Sequence, residues 1–203
     1  MDLIARLDAV RARRDVLAHP FYQRWSAGEL TRADLALYAG QYRHAVVALA
    51  GATASAAELE PALAPHAAEE AEHVALWDGF VTAMDGDAAA PATPETAHCA
   101  ATWADGGSLL ERLVGLYVIE ASQPAISAVK ADGLREFYGV DEGPATAYFD
   151  LHARRDVEHA EEGRELIAAH LDGADVDALV ARADAVLAAN WELLDGVERQ
   201  LAA

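Results

Sequence analysis

Signals that start and stop helices recur along the whole chain, and they constrain its fold more than any other feature of the sequence. The segments from Thr31 to Asp34 and from Ser108 to Glu111 both match the capping box that opens a helix. Alanine is abundant throughout, β-branched runs are almost absent, and no segment alternates as a strand would. These patterns predict an all-α protein.

The same signals divide the chain into seven predicted helices with short connections. Pro20 is expected to end the first helix, because a proline disfavours helical geometry in the residue before it. The predicted helices begin near Leu3, Thr31, Pro61, Pro94, Ser108, Pro144 and Asp175, and the first six end near Ala18, Ala57, Asp85, Gly106, Gly139 and Asp172. With no internal repeat, the sequence predicts a single bundle domain over residues 1–203.

Composition and charge exclude several classes of protein. The chain has 203 residues, enough for one full hydrophobic core. It carries 15 Lys and Arg against 34 Asp and Glu, and a net charge of −19 argues against nucleic acid or an anionic membrane as a partner. Cys99 is the only cysteine, so an intramolecular disulfide is excluded. Without an evident leader or spanning segment, we expect a soluble, cytoplasmic protein.

The strongest chemical signal is a set of three polar residues on the sixth predicted helix. His152, Asp156 and His159 stand at positions i, i+4 and i+7, which lie on one helix face. Imidazole and carboxylate ligands together suit iron, manganese or zinc. The alternative is a solvated polar face, since Arg154, Arg155, Glu158, Glu161 and Glu162 crowd the same segment.

The third predicted helix offers a second set of ligands. His66 and His73 are seven residues apart on one face, and Glu70 lies between them in a Glu-x-x-His spacing. That spacing is found in bundles that hold two metal ions. The sequence alone does not show whether His66 or Glu70 is the second metal ligand beside His73. All three could instead be surface residues.

The fifth predicted helix places a single carboxylate in an apolar run. Glu120 is costly to bury there unless it is paired or binds a metal. Pro124 cannot donate to the Glu120 carbonyl, so we expect a kink close to the proposed metal site. The alternative is that Glu120 pairs with Arg112 or Arg135.

With these residues in place, the chain resembles the haem-oxygenase-like dimetal oxidases, a branch of a seven-helix superfamily in which the TenA and PqqC proteins are relatives on the same fold. The family pattern has an acid and a histidine on one core helix, a glutamate on the next and His-x-x-x-Asp-x-x-His on a third. His152, Asp156 and His159 match the last element, and His73 and Glu120 match the others. The resemblance implies an O₂-activating enzyme with two metal ions, either two irons or an iron–manganese pair, and an external reductant supplied by a redox partner.

Within this superfamily the chain is most similar to the CADD-like proteins, which make p-aminobenzoate (4-aminobenzoate) for folate synthesis. The similarity covers about residues 15–171 and includes the segments 19–31 and 148–159. Members of this group are thought to consume one of their own tyrosines as the source of the ring. The resemblance places Tyr22 at that position and Lys130 at the position of the implied nitrogen donor.

The sequence departs from the family pattern at two positions. His66 stands where the family usually has glutamate, so either His66 is a ligand or Glu70 takes over. Ile119 stands where the CADD-like group has tyrosine, so a redox tyrosine would have to be Tyr117, Tyr42, Tyr38 or Tyr148. From the residues alone, Tyr22 could be part of an aromatic plug and Lys130 a solvated lysine.

Other functions remain open at this stage. The same dimetal site could oxidise a free amino acid or fatty acid by N-oxygenation, C–C cleavage or desaturation. A metal-free bundle could bind or hydrolyse a small ligand as TenA-like proteins do, and an acidic bundle could serve only to bind a basic protein. Small and apolar helix faces are compatible with a homodimer.

Overall fold

The computed structural model describes residues 2–202, and nine α-helices make up most of this range. None of these residues forms a β-strand, so the predicted all-α class is confirmed. The helices are α1 (Leu3–Arg13), α2 (Pro20–Ser26), α3 (Arg32–Ala57), α4 (Ala64–Ala83), α5 (Pro94–Ala104), α6 (Leu109–Glu120), α7 (Gln123–Phe137), α8 (Ala147–His170) and α9 (Val176–Leu201).

The predicted caps fix the starts of two long helices. Thr31 accepts a hydrogen bond from the Asp34 amide while the Asp34 carboxylate accepts one from the Thr31 amide, which completes the capping box of α3. Ser108 and Glu111 do the same for α6. Each cap satisfies backbone donors that have no partner within the helix.

The count of seven helices is wrong at two places. The first predicted helix does not reach Ala18: α1 ends at Arg13, and a 3-10 turn covers Val16–Ala18. Pro20, which is predicted only to end a helix, instead occupies the first turn of α2, where a missing N–H costs nothing. The Nδ1 atom of His19 accepts a hydrogen bond from the Phe21 amide at 3.1 Å and caps this short helix.

The expected kink at Pro124 is a complete break between α6 and α7. Helix α6 ends at Glu120, and α7 begins at Gln123 with the proline in its first turn. The Ser122 hydroxyl donates to the Val118 carbonyl at 2.9 Å and satisfies one of the acceptors left free at the end of α6. Similarly, α8 begins at Ala147 rather than near Pro144.

Packing around α3 and α8 builds one continuous core. Helix α3 contacts α4 and α5, α8 contacts α4, α6 and α7, and α9 contacts α5 and α6. Helix α2 lies close to α7 because Gly133 has no side chain: a Cβ atom there would stand 2.7 Å from the Trp25 ring. The Trp25 indole N–H donates to the Lys130 carbonyl at 3.2 Å, so α2 is held beside the buried face of α7.

None of the helices within residues 2–202 has the length and apolar character that crossing a membrane requires.

Candidate metal centre

Three helices bring the seven proposed ligands together in the interior of the bundle. Each residue is at most 6% exposed, so the alternative that they are solvated surface residues is wrong. Helix α4 contributes His66, Glu70 and His73, α6 contributes Glu120, and α8 contributes His152, Asp156 and His159.

Glu70 lies at the middle of this cluster. One set of ligand atoms, from His66, Glu70 and His159, lies within 4.8 Å, and a second set joins Glu70 to His73 and His152. The Oε1 atom of Glu70 is 2.9 Å from His73 Nδ1 and 3.8 Å from His66 Nε2. The sequence left His66 and Glu70 as alternatives, whereas the structure places both in the cluster, with Glu70 common to the two sets.

Glu120 closes the side of the cluster next to His66. Its Oε1 atom is 3.1 Å from His66 Nε2. The arginines offered as alternative partners are engaged elsewhere: Arg112 donates to Ser55 Oγ at 2.9 Å, and Arg135 pairs with Asp150 at 2.7 Å. The alternative that Glu120 pairs with an arginine is therefore wrong.

Asp156 is buried, and neither of its carboxylate oxygens has a hydrogen-bond partner among residues 2–202. Its Oδ1 atom is 3.6 Å from His159 Nδ1, outside hydrogen-bond range. Burial, together with the negative charges of Glu120 and Glu70, raises the pKa of Asp156 to about 9. A carboxylate in this position requires a cation to be stable in its charged form.

Hydrogen bonds fix which nitrogen of two histidines faces the cluster. His152 Nδ1 lies 2.7 Å from the Tyr148 carbonyl, so this nitrogen carries the proton and Nε2 is left with a lone pair. His159 Nε2 lies 3.3 Å from a Glu69 oxygen, which leaves Nδ1 free. Burial also lowers the pKa of His152 to about 4, so this ring is neutral at pH 7, as a metal ligand must be.

The cluster fits two metal ions of the iron or manganese type. Within residues 2–202, four of its buried ligand atoms have no hydrogen-bond partner: His152 Nε2, both Asp156 oxygens and His159 Nδ1. Buried polar atoms are rarely left in this state without a bound ion or water. Mixed imidazole and carboxylate donors suit iron, manganese or zinc, and helical bundles hold pairs of such ions between facing helices.

Sequence reasoning missed a pair of residues that supports this cluster. Arg155 enters the sequence analysis only under the alternative of a solvated helix face, and Glu69 is not singled out there; in the structure the Arg155 guanidinium binds both Glu69 oxygens at 2.8 Å. This pairing lowers the pKa of Glu69 to about 2, so Glu69 stays ionised beside His159. The available signal was the position of Arg155 one helical turn before His159 on the same helix.

Removing the Glu69 carboxylate is expected to weaken metal binding about 10- to 100-fold, because carboxylates that orient a ligating histidine typically contribute this much. A chelator-competition titration of wild type and Glu69→Ala measures the change. Glu158→Ala is the matched control, since Glu158 also pairs with Arg155 but is exposed and is not a partner of His159. Equal affinities in the two variants would contradict the orienting role of Glu69.

A second buried cluster surrounds Tyr22 and Lys130. Lys130 is the only lysine in the sequence and is 1% exposed, so the alternative of a solvated lysine is wrong. Its Nζ atom lies 4.7 Å from the ring centroid of Tyr42 and 4.9 Å from that of Tyr22. Burial lowers the pKa of Lys130 well below its usual range, which favours a neutral amine.

Tyr22 itself is held by a hydrogen bond and by aromatic packing. Its hydroxyl is 2.8 Å from the Tyr38 hydroxyl, and its ring packs edge-on against Phe21 and Trp25. Burial raises the pKa of Tyr22 well above its usual value, so the phenol remains protonated at neutral pH. The aromatic plug considered from the sequence is present, and it encloses the Lys130 amine.

Aromatic rings connect the two clusters. Tyr148 stacks on His152 with ring centroids 3.9 Å apart, and its ring meets Trp77 edge-on at 4.8 Å. Trp77 in turn lies 5.1 Å from Tyr42. The ligands on α8 and the Lys130 amine are therefore joined by contacting side chains rather than by solvent.

Comparison with known proteins identifies the family of this chain. A family model described as iron-containing redox enzyme matches residues 45–191. The chain is 30% identical to a 4-aminobenzoate synthase of Nitrosomonas europaea over 98% of this chain and 92% of that protein. It is 32% identical to a 4-aminobenzoate synthase of Chlamydia muridarum over 82% of this chain and 78% of that protein.

A solved structure supports the fold independently. A domain of unknown function with a heme oxygenase-like fold from Shewanella denitrificans superposes with a TM-score of 0.82 at 22% identity, covering 100% of this chain and 94% of that one. The predicted haem-oxygenase-like bundle is confirmed. With a family model that spans most of its length, this chain belongs to the iron-containing redox enzymes and is an oxidase or oxygenase.

Proposed function

We propose that this protein makes 4-aminobenzoate in an O₂-dependent reaction that consumes its own Tyr22, with Lys130 as the nitrogen source. The names of the relatives support the product. The observation that carries the proposal is the enclosure of the chain's only lysine amine 4.9 Å from the Tyr22 ring centroid, in a pocket of aromatic side chains.

The proposed conversion takes specific atoms from Tyr22 and Lys130. A tyrosine side chain already has the benzene ring and a carbon para to the phenolic oxygen. Making 4-aminobenzoate from it requires cleavage of the Cα–Cβ bond, oxidation of Cβ to a carboxylate and replacement of the phenolic oxygen by the lysine nitrogen. The phenolic oxygen leaves as water, and the Cε–Nζ bond of Lys130 breaks as Cε is oxidised to an aldehyde. O₂ is the oxidant, and an external reductant, which we propose a redox partner delivers, supplies the electrons needed for full reduction of O₂.

Two metal ions, either two irons or iron with manganese, supply the O₂ activation when they are bound. We propose that His66, Glu70, His73, Glu120, His152, Asp156 and His159 hold them. Three of these ligands are carboxylates and four are neutral imidazoles. The negative charge of the ligands therefore does not fully balance the positive charge of two divalent cations. Because His66 stands where the family usually has a glutamate, we expect this centre to differ from its relatives in metal preference.

The surrounding residues prepare Tyr22 and Lys130 for reaction. Tyr38 holds the Tyr22 hydroxyl by a hydrogen bond and so fixes the position of the ring. The buried Lys130 amine keeps its lone pair, which a nucleophile needs. The rings of Trp77 and Phe149 lie within 5.9 Å of the same nitrogen, and these walls exclude water that would compete for an oxidised ring.

A second candidate is oxidation of a free small substrate at the same centre. One observation favours it: a cavity of about 280 Å³ reaches His66 from the surface between Leu63, Arg155 and Leu166. The metal-free hydrolytic alternative has less support, because Cys99 is fully buried and burial raises the pKa of its thiol. A buried, protonated thiol is a poor nucleophile.

Isotope labelling tests the proposal directly. The full chain is produced with ring-¹³C tyrosine and side-chain ¹⁵N lysine, loaded with iron, and exposed to O₂ and a reductant in unlabelled buffer. Because the chain has one lysine, ¹⁵N marks Lys130 alone. We expect released 4-aminobenzoate to carry both labels and the mass of the chain to fall, and neither change in the sample kept without O₂.

Each label can contradict one part of the proposal. Product with an unlabelled ring would exclude a tyrosine of this chain as the precursor and favour the free-substrate candidate. A labelled ring with unlabelled nitrogen would remove Lys130 from its proposed role.

A further inference from the structure

A second cavity has a volume of about 310 Å³ and lies between α1, the break from α6 to α7, and α9. This volume is at the lower end of the range for small-molecule sites, about 300–1,000 Å³. Its lining combines apolar side chains, among them Ile119, Ile126 and Leu187, with polar and charged ones.

Two amide side chains form the inner end. Gln123 and Asn190 are 3% and 6% exposed, and among residues 2–202 the Oε1 atom of the first and the Oδ1 atom of the second have no hydrogen-bond partner. Leaving a buried acceptor unpaired is unfavourable, so this end of the cavity is suited to a ligand that donates hydrogen bonds.

Arginines stand at the outer end. The Arg11 guanidinium is fixed by Asp8 at 2.7 Å, by Ser122 Oγ at 3.1 Å and by the Ala121 carbonyl. Three of its N–H groups are used in this way, so the remaining ones are free for an anion. Arg14 pairs with Asp184 at 2.9 Å, and Asp184 also pairs with Arg13. The rim therefore has three arginines against three aspartates (Asp8, Asp15 and Asp184), whereas the whole chain has 15 basic and 34 acidic residues. An anion is therefore repelled less at this rim than over the rest of the surface.

The inner end is also next to the residues of the proposed reaction. Gln123 and Lys130 lie seven residues apart on the buried face of α7. Gln123 therefore connects the inner end of the cavity to the helix that carries the proposed nitrogen donor.

We propose that this cavity binds a small aromatic acid with an amine opposite its carboxylate, and that it holds 4-aminobenzoate before release. The identity of the ligand rests on the proposed function; the existence of the site does not. The carboxylate binds the free N–H groups of Arg11, the ring lies against the apolar walls, and the amine donates to Gln123 and Asn190.

Calorimetry on the full chain without reductant measures binding separately from turnover. The probes are 4-aminobenzoate, benzoate, which lacks the amine, and aniline, which lacks the carboxylate. We expect 4-aminobenzoate to bind about tenfold more tightly than either of the others, since each lacks one set of hydrogen bonds. Equal affinity for all three compounds, or no detectable binding of 4-aminobenzoate, would overturn the inference.

Matched variants locate the site. Ala12 is exposed and lines the cavity, and Ala9 is exposed on the same helix outside it. Ala12→Phe is expected to weaken 4-aminobenzoate binding by at least about tenfold by filling the mouth, with Ala9→Phe unchanged. Asn190→Leu is expected to reduce the preference for 4-aminobenzoate over benzoate. Unchanged binding in Ala12→Phe would exclude this cavity.

The binding experiment tests this inference, and the labelling experiment tests the proposed function, so either proposal can be contradicted without the other. Labelled product without calorimetric binding would overturn this inference and leave the proposed function intact. Binding of 4-aminobenzoate without any product would overturn the proposed function and leave a ligand site of unassigned purpose.

Discussion

Asp156→Asn is expected to abolish binding of at least one metal ion and, in the same protein, to stabilise the metal-free fold at alkaline pH. The metal content of protein purified without chelators should fall from about two ions per chain to about one or fewer. The loss follows because both Asp156 oxygens are buried and unpaired among the other proposed ligands, and a neutral amide is a much weaker ligand for iron than a carboxylate.

The gain in stability follows from the pKa of this carboxyl. In the folded, metal-free chain it is about 9, against about 3.9 in an unfolded chain. Between these values the folded state binds a proton that the unfolded state has released, so the free energy of unfolding falls as the pH rises from about 4 to about 9. Asparagine has no proton to lose. At pH 8 we expect the metal-free variant to be more stable by about 1–3 kcal/mol, which is several degrees in Tm.

Metal analysis and thermal unfolding with chelator, at pH 5 and pH 8, check both effects. Asp150→Asn is the matched control on α8, because Asp150 pairs with Arg135 at the partly exposed surface. It should keep its metal and lose less than about 1 kcal/mol. If Asp156→Asn retained two ions per chain, Asp156 would not be a ligand. If its stability advantage were the same at both pH values, the assigned pKa would be wrong.

Tyr22→Phe is expected to abolish formation of 4-aminobenzoate while leaving metal content unchanged. Phenylalanine keeps the ring and its packing but lacks the phenolic oxygen that the lysine nitrogen would replace. The loss of the hydrogen bond to Tyr38 should cost about 0.5–1.5 kcal/mol of stability, too little to unfold the chain. Product per chain, measured by mass spectrometry after exposure to O₂ and reductant, should fall to the detection limit.

Tyr138→Phe is the control for this experiment. The Tyr138 hydroxyl donates to the Trp25 carbonyl at 3.0 Å, so this variant also loses a tyrosine hydrogen bond close to α2. It should form as much product as the wild type. Continued product formation by Tyr22→Phe would exclude Tyr22 as the precursor and direct attention to the cavity beside His66.

The positions of the proposed ligands were predictable because they depend on local geometry. Residues at i, i+4 and i+7 share a helix face whatever the rest of the chain does, so His152, Asp156 and His159 had to lie together. Glu120 was marked by its apolar neighbours. The capping boxes that start α3 and α6 are equally local, which explains why the helical class and these boundaries agree with the structure.

The features that the sequence left open depend on contacts between distant segments. That both His66 and Glu70 face the cluster is decided by how α4 is rotated against α6 and α8. The burial of Lys130 depends on α2, a helix that was not predicted because Pro20 either ends one helix or starts another. Glu69 and Arg155 meet across two helices, so neither residue alone differs from an ordinary surface charge.

The burial of Tyr22 has a consequence for the chain once it has reacted. Its ring is 1% exposed and contacts Phe21, Trp25 and Tyr38. Removing such a ring from a packed core costs about 3–5 kcal/mol, a large share of the 5–15 kcal/mol that typically separates folded from unfolded proteins. If Tyr22 is consumed as proposed, a molecule that has yielded its product would be destabilised, and it would unfold more often and be degraded more readily than a molecule that has yet to react. The packing around Tyr22 would then distinguish spent protein from fresh protein, and it would couple the supply of product to continued synthesis of the chain.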